Sequence, residues 1–219
     1  MKLGILTTTG LLIAIGFASG VKAENVSQVK QLLETKKCSK CDLTGSQLAG
    51  MDLSGADLSG ANLRGANLNG ANLNEAKLNE ANLKKAKLQG ASLIGAKLHG
   101  ANLEGADLSR ANLSLAGLVI ASLKNTNLTS ANLIGANIES ADLAGANLRN
   151  ARQSVANLAD ISLRGGSVSG IDVQGVNLRD ANLTNANLTN ANLNGSDLTG
   201  ANLKNANMAN VDLKNASLP

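Results

Sequence analysis

The 219-residue chain contains no tryptophan and no tyrosine, and Phe17 is its single phenylalanine. Proteins that hold single-stranded nucleic acids stack bases on aromatic side chains, so a stacking platform is excluded. The 20 Lys and Arg against 16 Asp and Glu give a formal charge of only +4. Removing Lys2 and Lys22 with the N-terminal segment discussed below leaves +2 (4 − 2). Neither stacking nor charge favours nucleic acid, and we expect no nucleic-acid partner.

Groups that carry catalysis are equally scarce. The chain has two cysteines and one histidine, His99, and it lacks G-x-S-x-G, H-E-x-x-H and phosphate-loop motifs. A structural zinc site needs four ligands, which two cysteines and a distant histidine do not supply. We therefore expect no enzyme, no cofactor and no metal.

What the chain has instead is a five-residue repeat. From Cys41 to Leu218, an aliphatic residue fills every fifth position, 36 in all, except at Gln153, and a small residue usually stands two positions earlier. A five-residue step turns an α-helix by about 140° net, so no apolar stripe forms. On a straight strand Leu63 and Leu68 would face opposite sides. A chain that turns a corner every five residues buries all of them, with Gly65 near the bend at positive φ.

These units resemble a known family. Residues 61–65 (Ala-Asn-Leu-Arg-Gly) and 181–185 (Ala-Asn-Leu-Thr-Asn) are similar to the pentapeptide-repeat family. The resemblance implies an all-β solenoid, a right-handed quadrilateral β-helix with four repeats and 20 residues per coil. The 36 repeats at 41–219 then make nine coils (36/4), a rod about 43 Å long at the spacing of stacked chains.

The first residues predict export. Lys2 precedes an apolar run from Leu3 to about Gly20, and Val21-Lys22-Ala23 places small residues where a signal peptidase cleaves. We expect residues 1–23 to be a signal peptide, leaving no membrane association, and the protein to lie in a periplasm or a thylakoid lumen. An uncleaved membrane anchor is the alternative, because the run is nearly long enough to span a bilayer.

Residues 24–40 predict a capping helix over the first coil, which would otherwise expose apolar side chains and unpaired backbone. Asn25 with Gln28 resembles a capping box, and Lys36 and Lys37 suit a helix C-terminus. Apolar residues recur at helical spacing: Val26, Val29, Leu32 and Leu33. At the other end the repeats run on to Leu218 without such a cap, and we expect an end-to-end homodimer through that coil or a frayed end.

Cys38 and Cys41 form a C-x-x-C where this helix meets the first repeat. A thioredoxin-like site is disfavoured because its cysteines open a helix, whereas these follow one. A structural disulfide and a pair of buried thiols remain open, since both residues fall at inward positions. Residues 29–43 resemble exported cyanobacterial members of the family, and that resemblance implies the disulfide.

Outward positions carry whatever specificity the rod has. One column is mainly basic, with Arg64, Lys84, Lys124, Arg164 and Lys204, which is typical of a solubilising face and less so of an anion-binding ridge. Glu75 and Glu80 could imitate a glycosidase pair, but they lie on a convex surface without a cleft. Apolar residues replace polar ones over the middle coils and predict a protein-binding surface, interrupted by Arg152: Ile94, Leu115, Val119, Ile120, Ile134 and Val155.

Bulky residues also enter the small inward positions near residues 151–176, at Ile161, Ile171 and Val176, and we expect local distortion there. The sequence as a whole indicates a non-catalytic structural or protein-interaction rod in an exported compartment. The alternative is a DNA mimic acting on DNA gyrase, a mechanism of some members of the family. It requires an acidic surface and a cytosolic location, and is disfavoured by the slight positive charge and the export signal.

Overall fold

The computed structural model describes residues 23–152, 158, 161–171 and 174–219. Helix α1 spans Ala23–Thr35. The repeats that follow consist of short turns joined by single-residue parallel bridges, and the described ranges contain no longer strand. A corner every five residues leaves each side of the coil too short for an extended strand.

Bridged residues lie 20 positions apart, so each coil stacks directly on the one before. Asn62 bridges Asn82, and Asn82 bridges Asn102. The Leu63 N–H donates to the Asn82 carbonyl (2.7 Å), and the Asn82 N–H donates to the Ala61 carbonyl (2.9 Å). The spacing agrees with four five-residue repeats per coil, and we number the coils by their residues: 41–60, 61–80, 81–100, 101–120 and onward.

Each corner that the structure describes places its second turn residue in the left-handed region. Gly65 has φ +66°, as its position in the repeat predicts, and the following Ala66 N–H closes the turn on the Leu63 carbonyl (3.0 Å). Asn185 occupies the same position at φ +58°. Glycine and asparagine adopt this region at little cost, which explains why the repeat prefers them there.

The interior is a stack of leucine and alanine side chains. Leu63, Leu68 and Ala61 are fully buried, as are their equivalents along most of the rod. Because the inward residues of the described repeats point the same way, they form one buried cluster that extends from coil to coil. The last described coil is different: Leu203, Met208 and Leu213 are only partly buried, and Leu218 is 55% exposed.

The 161–180 coil redistributes its core volume. Ile161, Ile171 and Val176 are buried at small positions, while Val168 stands where leucine is usual and Gly166 where alanine is usual. A cavity of about 20 Å³ remains between this coil and the next. Ser162 and Ser167 still bridge to Asn182 and Asn187. The sides of the coil at Ser162 and Ser167 therefore keep their regular pairing and do not show the expected distortion. Gln153, the break in the aliphatic positions, lies outside the described residues.

Helix α1 closes the first coil with Val29 and Leu32, both buried. It ends at Thr35, and Lys36 follows at φ +57° with its N–H on the Leu32 carbonyl (2.9 Å). The predicted cap is present, but two details are wrong. Lys36 and Lys37 lie beyond the helix, because left-handed backbone at Lys36 terminates it. The capping box is also wrong, because α1 begins at Ala23, before Asn25.

The Gln28 side chain hydrogen-bonds to the first coil instead of capping the helix. Its side-chain Oε1 accepts a hydrogen bond from the Asp42 N–H (2.5 Å). In later coils the equivalent N–H pairs with the preceding coil, which the first coil does not have. Cys38 and Cys41 lie beside this contact and form a disulfide with a Cα–Cα distance of 5.2 Å across one corner. The disulfide alternative is thus the one that the structure contains.

Candidate interaction surface

Two large apolar side chains project from corners of the 101–120 coil. Leu115 is 69% exposed and Ile120 is 54% exposed. They stand at the position that Gly65 and Asn185 fill elsewhere, with φ +59° and +52°. A left-handed conformation is unfavourable for a residue with a bulky side chain, and most unfavourable for a β-branched one. These residues therefore combine backbone strain with little burial in the rod.

The remaining predicted patch residues extend this surface unevenly. Ile94, Val119 and Ile134 are half-buried, and Leu115 lies so close over Gly135 that a Cβ there would come within 2.8 Å of its Cδ2. Arg152 is exposed, and Val155 lies outside the described residues. We call Ile94, Leu115, Val119, Ile120 and Ile134 the corner patch. The 20-residue register stacks Ile94, Leu115 and Ile134 at one corner of successive coils and puts Val119 and Ile120 at the next corner. That they form one binding surface stays a prediction.

Gly117, between the two corners, was missed by sequence reasoning. It is the only glycine at the repeat position that precedes the buried aliphatic residue. Its backbone is not left-handed, and a Cβ would meet nothing within 4 Å. A notch of about 220 Å³ opens here, lined by Asn79, Lys97, His99, Gly117 and Val119. The sequence did carry a signal for this notch, because the position before the aliphatic residue holds a polar side chain in every other repeat.

Two of the five residues of the basic column form ion pairs with carboxylates of the next coil. Lys84 Nζ lies 2.8 Å from Glu104 Oε2, and Lys124 Nζ lies 2.9 Å from Asp142 Oδ2. The hydrogen bond from Lys84 is the main cause that lowers the pKa of Glu104, and the bond to Asp142 raises the pKa of Lys124. Pairing along the rod favours a solvated face over a site for an anionic ligand.

The Asn and Asp residues before each leucine have two structural uses. Some link coils, as where Asn82 Nδ2 donates to Asn62 Oδ1 (3.2 Å). More often Oδ1 accepts the backbone N–H two residues later, as from Glu104 to Asn102 (3.0 Å). The first use was predicted, whereas the second was missed although this local bond is typical of Asn and Asp.

The other candidate residues remain apart on the surface. His99 is exposed, and Glu75 and Glu80 are exposed at successive corners. Within the ranges that the structure describes, no cluster of His, Cys, Asp or Glu could hold a metal ion. In those same ranges, no helix has the length and apolar character needed to cross a bilayer.

Comparison with known proteins identifies the repeat. A model described as pentapeptide repeats matches eight copies, at residues 41–79, 76–114, 121–152, 156–195 and 181–218. The chain belongs to the pentapeptide-repeat family. Membership implies the right-handed quadrilateral β-helix, consistent with the 20-residue bridges. A search of curated proteins gives no significant match.

Several solved structures of this family are similar to the chain. HetL from Nostoc sp. strain PCC 7120, involved in the regulation of heterocyst differentiation, is 32% identical over 79% of this chain and 90% of HetL, with a TM-score of 0.32. Rfr23 from Cyanothece 51142 is 34% identical over 58% of this chain and 91% of its own, with a TM-score of 0.43. The trypsin-treated fluoroquinolone resistance protein QnrB1 is 23% identical over 84% and 88%, with a TM-score of 0.53, a likeness of fold alone.

Proposed function

We propose that this pentapeptide-repeat protein is a non-catalytic rod of nine coils that binds another protein through the corner patch. The observation that carries the proposal is the exposure of Leu115 and Ile120 at strained corner positions. Strained residues that persist without stabilising the fold point to a role in function. Exposed apolar clusters with polar surroundings are typical of protein contacts.

A variant with Ile94, Leu115 and Ile134 all changed to Ser tests this role. None of the three belongs to the leucine stack, so the rod should fold and retain its circular dichroism spectrum. Proteins recovered with the wild-type protein from its native cells should be lost with the triple variant. The basic column supplies the control, in which Arg64, Arg164 and Lys204 are changed to Ser. Recovery of every partner with the triple variant would contradict the proposal.

The proposed compartment is exported, a periplasm or a thylakoid lumen. Residues 1–23 support it by their signal-peptide pattern, and the Cys38–Cys41 disulfide supports it because such bonds persist in oxidising compartments. N-terminal sequencing of the protein from its native cells should give Glu24 as the first residue. A retained Met1 would favour the membrane-anchor alternative.

The rod is also proposed to associate end to end through the 201–219 coil. Its half-buried Leu203, Met208 and Leu213 and its exposed Leu218 would be covered by the same coil of a second copy. Sedimentation should show a dimer that dissociates on changing Leu213 and Leu218 to Ser. A monomer at high concentration would contradict it. The DNA-mimic alternative gains no support, because the chain carries more basic than acidic residues.

A further inference from the structure

The Gly117 notch, as lined above, is a built feature of the corner patch. Glycine at this position removes the side chain that other repeats place on the middle of each side. It also removes an acceptor, since Asn137 one coil later accepts the Glu139 N–H (3.1 Å), whereas Gly117 offers no side-chain oxygen to the Val119 N–H. The coil that carries the strained Leu115 and Ile120 thus gives up a further stabilising contact, at the one place where this opens a notch.

The size of the notch fits one aromatic side chain. The notch is open to solvent and has a volume of about 220 Å³. That leaves room for one ring, since an enclosed cavity of roughly 150 Å³ accommodates benzene. Its lining includes His99 and Lys97. An imidazole ring and a lysine stem are the kinds of surface that a flat ring can pack against. Lysine ammonium groups attract the faces of aromatic rings, most strongly that of tryptophan.

The charge beside the notch indicates what accompanies that ring. Lys97 is exposed and bridges Lys77, also exposed, one coil below in the same column. Lys97 takes part in none of the ion pairs formed by described residues. Lys77 acts on Asp57, where it helps to lower the pKa of the carboxyl group. A partner's carboxylate is therefore favoured next to Lys97.

We propose that the Gly117 notch receives an aromatic side chain of a different protein, adjacent to an acidic residue that pairs with Lys97. This rests on the protein-binding role proposed for the corner patch and specifies its partner. The described part of the chain has no Phe, Tyr or Trp, so the described rod of a second copy cannot supply such a ring. Aromatic anchors in small pockets commonly dominate protein interfaces.

A tryptophan-containing peptide tests the proposal against a dark background, because the chain itself has no tryptophan or tyrosine. The probe is a synthetic pentapeptide with a central Trp flanked by Asp and Glu, titrated with the full protein. We expect a saturable blue shift of the Trp emission. Replacing the acidic residues of the peptide by Lys should weaken binding. In competition experiments, replacing the Trp by Tyr should also weaken binding, and replacing it by Ala should abolish it.

Gly117→Asn fills the notch with the residue that the repeat normally carries. The backbone is compatible and the Cβ space is open, so the variant should fold. It should weaken the Trp peptide by at least about tenfold, and Lys97→Ala by a few fold. Ser167→Asn makes the same kind of change at an equivalent position on another side of the rod and should leave binding unchanged.

Three results would overturn the inference. These are no saturable shift with the wild-type protein, equal binding by Gly117→Asn, and a wild-type dimer that Gly117→Asn dissociates, since the notch would then hold a second copy. Failure here is distinguishable from failure of the corner patch as a whole. If the triple Ser variant loses its cellular partners while the peptide never binds, protein binding stands and the aromatic occupant is wrong.

Discussion

At the scale of single residues, two corner positions hold side chains that do not stabilise the fold and that we assign to protein binding, Leu115 and Ile120. Ile120 is β-branched and left-handed, at φ +52°, yet more than half of its surface faces solvent. A left-handed conformation costs roughly 1–2 kcal/mol for a residue with a Cβ, and less for Asn, which bonds locally. Other repeats have Asn, Glu, Lys or Gly at the same corner position, so the fold does not require an apolar side chain there.

We therefore expect Ile120→Asn to raise the free energy of unfolding by about 1 kcal/mol, measured by chemical denaturation. The matched control is the reverse change, Asn185→Ile, at φ +58°, which should lower it by a similar amount. A loss of stability in Ile120→Asn would mean that the side chain stabilises the rod, and the argument from strain would fail.

Acid sensitivity also belongs to single residues. The pKa of Asp197 is lowered chiefly by the Thr199 hydroxyl and N–H, with Arg179 adding to them, and that of Asp57 chiefly by the Ser59 hydroxyl and N–H. The pKa of Asp52 is lowered in the same way, chiefly by hydrogen bonds from the Ser54 hydroxyl and N–H. A carboxyl whose pKa is lower in the folded state stabilises the fold above its unfolded value, ~3.9, and loses this as the pH falls through the folded value.

Stability should thus decline as the pH drops below about 4. Changing Asp52, Asp57 and Asp197 together to Asn keeps the Oδ1 acceptor and removes the titration. We expect the drop in Tm between pH 6 and pH 3 to be smaller in this variant than in the wild type. An equal drop in both proteins would assign the acid sensitivity to other groups.

At the scale of elements, α1 covers the first coil with a polar contact as well as an apolar face. Gln28 satisfies the Asp42 N–H of the first coil, while Gln31 donates to the exposed Lys37 carbonyl (2.9 Å). Gln28→Ala should lower the free energy of unfolding by about 1 kcal/mol because it leaves a half-buried donor unpaired. Gln31→Ala, a matched change three residues away, should have a smaller effect in the same denaturation experiment. Equal losses would mean that only helix propensity is measured.

The 161–180 coil offers a second test at this scale. Val168 stands at a leucine position and borders the cavity of about 20 Å³. Val168→Leu adds one buried methylene and should raise the free energy of unfolding by about 0.8 kcal/mol. A lower stability would show that Ile161 and Ile171 already fill the space and that the coil is overpacked. Thermal melting of the two proteins under one condition decides between these.

A corner every five residues could be predicted from the period, because a five-residue apolar spacing fits neither a helix nor a straight strand. The four repeats per coil were implied only by the resemblance to the family. Corner residues followed from the same argument, as Gly65 illustrates. What the pattern could not supply was the partner of an individual side chain. Gln28 matched a local capping pattern, but its side-chain oxygen accepts a hydrogen bond from Asp42, 14 residues later, in the first coil. Gly117 passed unnoticed among 23 glycines, because its meaning depends on which residues stack above and below it.

At the scale of the whole molecule, a repeating rod gives every coil almost the same surface, so specificity lies where the repeat is broken. The basic column is paired along the axis by Lys84 with Glu104 and Lys124 with Asp142. Along the sides of the rod, away from the 201–219 end, Leu115 and Ile120 of the corner patch are the large apolar side chains that are exposed among the described residues. Recognition of a protein partner should therefore be confined to one side of the rod.

Site-specific photocrosslinking in the native cells tests that confinement most directly. A photoreactive residue replaces Leu115 in one protein and Asn185, at the same kind of corner on a distant coil, in another. The account predicts a discrete crosslinked product from position 115, lost when Gly117→Asn is added, and none from position 185. Equal crosslinking from both positions, or none from 115 in cells that express the protein normally, would contradict it.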